Sequence, residues 1–140
     1  MVWLADISDI EDLVVLAEKF HAVSPFADYK FSPQGTRSFL KSIIHNPNAV
    51  ILMHEHGAIA GSVLELPMCD LRCGEELFWY AERNGLVLLN KYHSWLERRG
   101  VRVSMFSSIE NESDMSIKVR AYLNRIGYET LETKMIRVID

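Results

Sequence analysis

The chain has 140 residues, 49% of them hydrophobic and 24% charged, which is enough apolar side chain for one core in a single domain spanning residues 1-140. Its net charge of −4 excludes the clustered basic surface of a non-specific nucleic-acid binder, so no nucleic-acid partner is expected. No apolar run has membrane-spanning length, the N-terminal residues lack the basic and apolar parts of a secretory signal, and two cysteines give no disulfide framework; a cytoplasmic protein without a membrane partner is expected.

Val2 to Ala5 is short and apolar enough for a first strand. Ser8-Asp9-Ile10-Glu11 has the spacing of a capping box, and Ile10, Leu13, Ala17 and Phe20 continue at helical spacing, predicting a helix to about His21. After a loop, Ser32-Pro33 combines an N-cap with proline at the first helical position. Phe39, Leu40, Ile43 and Ile44 form the apolar face of this second helix, and Pro47 bars its continuation. Ala49 to Met53 and Ala58 to Leu66 read as strands joined by a turn at residues 54–57, and Glu76 to Tyr80 as a third, aromatic strand. Leu86, Leu89, Tyr92 (or His93) and Leu96 mark a third helix, ended by Arg98-Arg99-Gly100. Val101 to Ser107 alternates as a strand. Met115, Val119, Tyr122 and Ile126 share a face of a fourth helix stopped by Gly127, and Thr133 to Ile139 reads as a last strand. The order β-α-α-β-β-β-α-β-α-β predicts an α/β (α+β) fold: a mixed, mostly antiparallel sheet with helices on both faces. One parallel crossover pair within it would be free to diverge around a ligand.

The junction Tyr80-Ala81-Glu82-Arg83-Asn84-Gly85-Leu86 carries the most chemical information. A helix starting directly after a strand presents unpaired N–H groups and about half a positive charge at its tip. Gly85 leaves room there, and Arg83 adds a cation able to pair with phosphate. Asn84 equally suits a plain N-cap, and a glycine at this point equally serves the turn alone. His54-x-His56 and Cys69-x₃-Cys73 are spaced too loosely for a zinc knuckle, so no metal is expected; Cys73 has no histidine placed to activate it.

The element order, the stretches ELFWYAERNGLVLLNKYHSWLERRGV and SSIENES, and the ending YLNRIGYETLETKMIRVI resemble the GNAT acyltransferase superfamily, most closely its short phage- and prophage-type members, over nearly the whole chain. The resemblance implies a six- to seven-stranded GNAT-like sheet flanked by four helices. It further implies acetyl-CoA as cosubstrate and N-acetyl transfer to a primary amine of a small molecule or peptide by direct attack. Its diphosphate loop, Gln/Arg-x-x-Gly-x-Gly/Ala, falls on Tyr80, Arg83 and Gly85, keeping one of three signature positions. The implied cofactor-binding residues are Phe78, Trp79, Tyr80 and Ala81 along the aromatic strand, Arg83, Asn84, Gly85 and Leu86 at the helix tip, and Asn111 after the next strand, where capping the fourth helix is the alternative.

A strand amide near Phe78 to Tyr80 would serve the oxyanion, and Glu76, rather than Glu75, the base; a solvated carboxylate is the competing account of Glu76. The family's catalytic tyrosine falls on Leu123, with Tyr122 one position early; core packing competes with acid catalysis for Tyr122. The loop after the first helix, with His21, Ser24, Phe26 and Tyr29, would contact the acceptor or else pin itself to the core. Leu123 in place of that tyrosine, with the eroded loop signature, also leaves open a non-catalytic acyl-CoA-binding or partner-binding module on the same fold. A homodimer through the edge Thr133–Ile139 is a further expectation.

Overall fold

The computed structural model describes residues 1–108 and 113–139, in two units divided after Met105. In the first unit, strands β1 (Trp3–Leu4), β2 (Ala49–His54), β3 (Gly57–Glu65), β4 (Arg72–Ala81) and β5 (Val103–Met105) lie side by side in chain order. β1 to β4 are antiparallel neighbours, and β5 joins β4 in parallel. Helices α1 (Ile10–Ala22) and α2 (Pro33–Ile44) cover one face, and α3 (Gly85–Arg98) packs on β2, β3 and β4 from the other. The mixed class and the parallel crossover pair are as predicted.

Short-range chemistry explains the boundaries. A single 3-10 turn, Ile7–Asp9, precedes α1 and is closed by a capping box between Asp6 and Asp9, not by Ser8 and Glu11. Glu11 is held instead by Arg37 of α2 through two parallel hydrogen bonds of 2.8 Å, and that guanidinium lowers the Glu11 pKa. At α2 the Ser32 hydroxyl accepts the Gly35 N–H at 3.0 Å, with Pro33 at the first position. Gly100 (φ +71°) and Gly127 (φ +107°) end their helices in the left-handed region open to glycine.

The core below α1 and α2 joins Ile10, Leu13, Leu40 and Ile43 to Ile51, Met53, Ala58 and Ala60 of the sheet. Phe39, expected inside, is 48% exposed. On the opposite face α3 buries Leu88, Leu89, Tyr92 and Leu96. Leu86, expected inward, is 46% exposed on the first turn of the helix, and the buried stripe begins at Leu88. Tyr92 is fully buried against two glycines: a Cβ at Gly61 would overlap its ring, and one at Gly74 would stand 3.2 Å from its hydroxyl.

The second unit contains α4 (Asp114–Arg125), capped by Ser113, whose hydroxyl accepts the Ser116 N–H. Its buried residue is Leu123; Met115 and Ile126, expected inward, are exposed, so the inward face is turned toward Leu123 relative to the predicted stripe. Phe106 and Tyr128 meet edge to face at 5.6 Å. The predicted strand Thr133–Ile139 is absent: residues 129–139 form no ladder, and Met135, Ile136, Val138 and Ile139 are exposed. Alternating β-formers without a partner strand have no ladder to join, so the described sheet has five strands instead of the six or seven expected.

Candidate functional site

Two departures from a regular sheet define the site, and both lie on β4. The ladder with β5 covers only Cys73–Glu75, opposite Val103–Met105, while β4 continues to Ala81 alongside β3. Within the β3 ladder, Ala60 stands opposite Phe78 and Gly61 opposite Glu76, so Leu77 is an extra residue: a β-bulge. The bulge changes which face each side chain takes. Gly74 and Gly61 face Tyr92 of α3, which sets Glu76 on the α3 side. Leu77 and Phe78 both pack against the core under α1 and α2, and Tyr80 follows Phe78.

Immediately beyond, Asn84 is the one non-glycine residue with positive φ among those described (φ 57°, ψ 35°), and it starts α3 without a side-chain capping bond. Two side chains grip the tip by its carbonyls. The Trp79 indole N–H donates to Gly85 O at 3.1 Å, and His54 Nε2 lies 3.0 Å from Asn84 O. The His56 N–H donates to His54 Nδ1 at 2.9 Å, so Nδ1 is an acceptor and the ring proton sits on Nε2, which donates to Asn84. The carbonyl side of the tip is thus fixed, and the Asn84 side chain makes no capping bond to the first-turn amides.

What leaves those donors open is the missing cap at Asn84, not the missing side chain at Gly85. A Cβ at Gly85 would point to Trp79 and Ala81 at ordinary distances of 3.4 and 3.5 Å. The nearest carboxylate in sequence, Glu82, is turned to Lys19 at 3.0 Å, which lowers its pKa and offsets its charge; Arg83 is exposed. The left-handed turn itself gives a test. Asn84→Ala is expected to lower stability by about 1 kcal/mol in urea unfolding, and Asn84→Gly to leave it within about 0.5 kcal/mol, because glycine takes positive φ without a Cβ clash.

On the other face of β4 a cavity of about 430 Å³ opens between α1, α2 and the strand, with Leu77 and Phe78 in its wall. Of the loop residues expected to meet an acceptor, His21 lines this cavity, its ring 5.5 Å from Phe31. Ser24 closes a local turn by donating to His21 O, and Phe26 and Tyr29 lean on each other at 6.3 Å, both exposed. Tyr80, 5.8 Å from Phe20, is a cavity wall residue too.

Tyr122 belongs to α4 of the second unit, half-buried beneath the Arg125 guanidinium at 5.2 Å. Asn111 lies outside the described residues. Cys73 is fully buried, which pushes its thiol pKa up, and both ring nitrogens of His54 are already engaged in the tip. His54 and the cavity residues Leu16, Phe31 and Phe39 were missed from sequence. The partner of His54 lies 30 residues away, and the cavity walls read simply as helix core.

The mixed five-stranded sheet, with one parallel pair at its edge and a helix tip at the end of the bulged strand, has the GNAT-like fold of solved acetyltransferases. No protein-family model and no curated protein matches the chain. Solved structures do. A probable acetyltransferase superposes with a TM-score of 0.76 at 13% identity, covering 100% of this chain and 99% of the other. An aminoglycoside acetyltransferase from an uncultured soil metagenomic sample, solved with sisomicin, gives 0.72 at 12% identity over 99% and 96%. A GCN5-related N-acetyltransferase from Ralstonia eutropha JMP134 gives 0.69 at 18% identity over 99% and 97%. At these identities the likeness is one of fold.

Proposed function

We propose that this chain is an N-acetyltransferase that moves an acetyl group from acetyl-CoA to a primary amine by direct attack. The observation that carries the proposal is the α3 tip: gripped through its carbonyls by His54 and Trp79, with no side-chain capping bond from Asn84, at the end of β4 beyond its short ladder with β5. Such a tip suits a diphosphate, with the Gly85 and Leu86 amides and the Arg83 guanidinium as donors. The stretch Phe78–Ala81 would lie beside the pantetheine arm, and an amide near Phe78 to Tyr80 would stabilise the oxyanion.

The acceptor amine would come from the cavity on the opposite side of β4. An alkylammonium with a pKa of about 10 must first lose a proton, and Glu76 is the proposed base, acting through water because the register turns it toward α3. The nitrogen then bonds to the thioester carbon and gives up a second proton to solvent, the C–S bond breaks, and the thiolate takes a proton for which Tyr122 is the proposed donor. Neighbours of this fold are acetyltransferases, one of them acting on aminoglycosides, which supports the reaction class.

Calorimetry with acetyl-CoA and a thiol-release assay over an amine panel test this. Arg83→Glu is expected to weaken acetyl-CoA binding by about tenfold or more, and Glu76→Gln to lower kcat by about 10²-fold. Absence of heat with acetyl-CoA would remove the proposal. Binding without thiol release for any amine would leave the non-catalytic module, the reading that Leu123 at the tyrosine position favours.

A further inference from the structure

We infer that the acceptor is a monoamine carried on an aliphatic or aromatic body, and that this site discriminates against polycations. The inference rests on the acyl-transfer reading above and deepens it. The cavity wall is built from Leu16, Phe20, Phe31, Phe39, Leu77 and Phe78. Among the described residues the ionisable side chains that line it are His21, Lys30 and Tyr80, and no carboxylate does. Two carboxylates on or next to the elements that form it, Glu11 of α1 and Glu82 just past β4, are paired with cations, Arg37 and Lys19 respectively.

A polyamine or aminoglycoside placing one nitrogen at the bulge would bring further ammonium groups into this apolar space. Each would lose its hydration, gain no counter-charge, and meet Lys30 as a like charge. A hydrocarbon body meets the opposite balance. Every methylene moved from water onto these rings gains about fourfold in affinity until the space is filled. The bulge makes this possible at the reacting point, since two successive residues, Leu77 and Phe78, turn their side chains into the same wall. An amine entering there is led along an apolar track to the strand that would carry the thioester.

Thiol release with n-butylamine, n-hexylamine, n-octylamine and phenethylamine, against spermidine and sisomicin, tests the inference. The expected result is kcat/KM rising about tenfold or more per pair of methylenes until the space is filled, with both polycations at least 100-fold below the best monoamine. Calorimetric titration of n-octylamine and spermidine into the protein without acetyl-CoA reads the cavity independently of turnover. Phe39→Glu, at a half-exposed wall position that the fold tolerates, is expected to weaken octylamine at least tenfold and bring spermidine binding up, with an unchanged circular dichroism spectrum. Octylamine binding that Phe39→Glu abolishes, without turnover of any amine, would sink acyl transfer and uphold the cavity's selectivity. Polycations bound or acetylated better than monoamines would overturn the inference while leaving acyl transfer intact. Failure of both classes to bind would overturn it too.

Discussion

Replacing Gly61 with alanine is expected to cost about 3 kcal/mol, the upper part of the range for overpacking a filled core. The added methyl would fall on the Tyr92 ring, and the ring has no route of escape. It is fully buried, its hydroxyl end lies against Gly74, and its face stacks on Trp95 at 6.2 Å. The accommodation open to the molecule is to lift α3 from β3, which exposes Leu88, Leu89 and Leu96 together. For a chain of this length, 3 kcal/mol corresponds to a fall in Tm of roughly 10 °C. A double variant with Tyr92→Leu should lose less than the sum of the single losses, because the shorter side chain vacates the contested space. A Gly61→Ala melting point within about 2 °C of the parent would show that α3 is not packed on β3 as described. Since α3 carries the proposed diphosphate tip, acetyl-CoA affinity should fall in the same variant even under conditions where it stays folded.

His54→Ala is expected to cost about 2–3 kcal/mol and, independently, to loosen the tip. The imidazole is 7% exposed and spends both nitrogens on backbone, accepting from His56 and donating to Asn84 across the end of the sheet. Truncation leaves the Asn84 carbonyl and the His56 amide without that partner and removes packing behind the turn. If the tip holds the diphosphate, the kinetic signature is a rise in KM for acetyl-CoA with kcat little changed, because the reacting atoms lie farther along β4. His54→Gln retains one donor and one acceptor and should recover part of both losses. Equal loss of affinity in the Gln and Ala variants, with full stability in the former, would separate the imidazole's packing role from its hydrogen bonds and refute the clamp.

The layered order of the first unit was legible in the chain because each of its elements carries its own signal. Ser32-Pro33 announces α2, the heptad-like spacing of Leu89, Tyr92 and Leu96 announces α3, and Arg98-Arg99-Gly100 ends it. What was not legible depends on pairing across distance. The start of β4 was placed at Glu76 rather than Arg72, since Arg72-Cys73-Gly74-Glu75 has weak strand propensity and is recruited by ladders on both sides. The bulge at Leu77 exists only relative to Ala60 and Gly61. Thr133–Ile139 shows the converse: good local β-propensity that no neighbouring strand completes. At the site, the helix tip is marked by Arg83 to Gly85, but its mechanical support at His54 lies in what reads as a plain turn between two strands.

The extra residue at Leu77 divides β4 into two phases, as a half-step offset does in a zip. Before it, even-numbered side chains look toward α3; after it, they look toward α1 and α2, so Phe78 and Tyr80 line one compartment while Trp79 braces the other. Deleting that one residue would leave Glu76 opposite Gly61 and Phe78 opposite Ala60 in plain alternation, so both linings would keep their faces and only the Leu77 side chain would leave the apolar wall. The notch therefore adds one residue to the apolar wall without disturbing the grip of Trp79 on the α3 tip, and that wall can be retuned at Leu77 while the other compartment stays as it is.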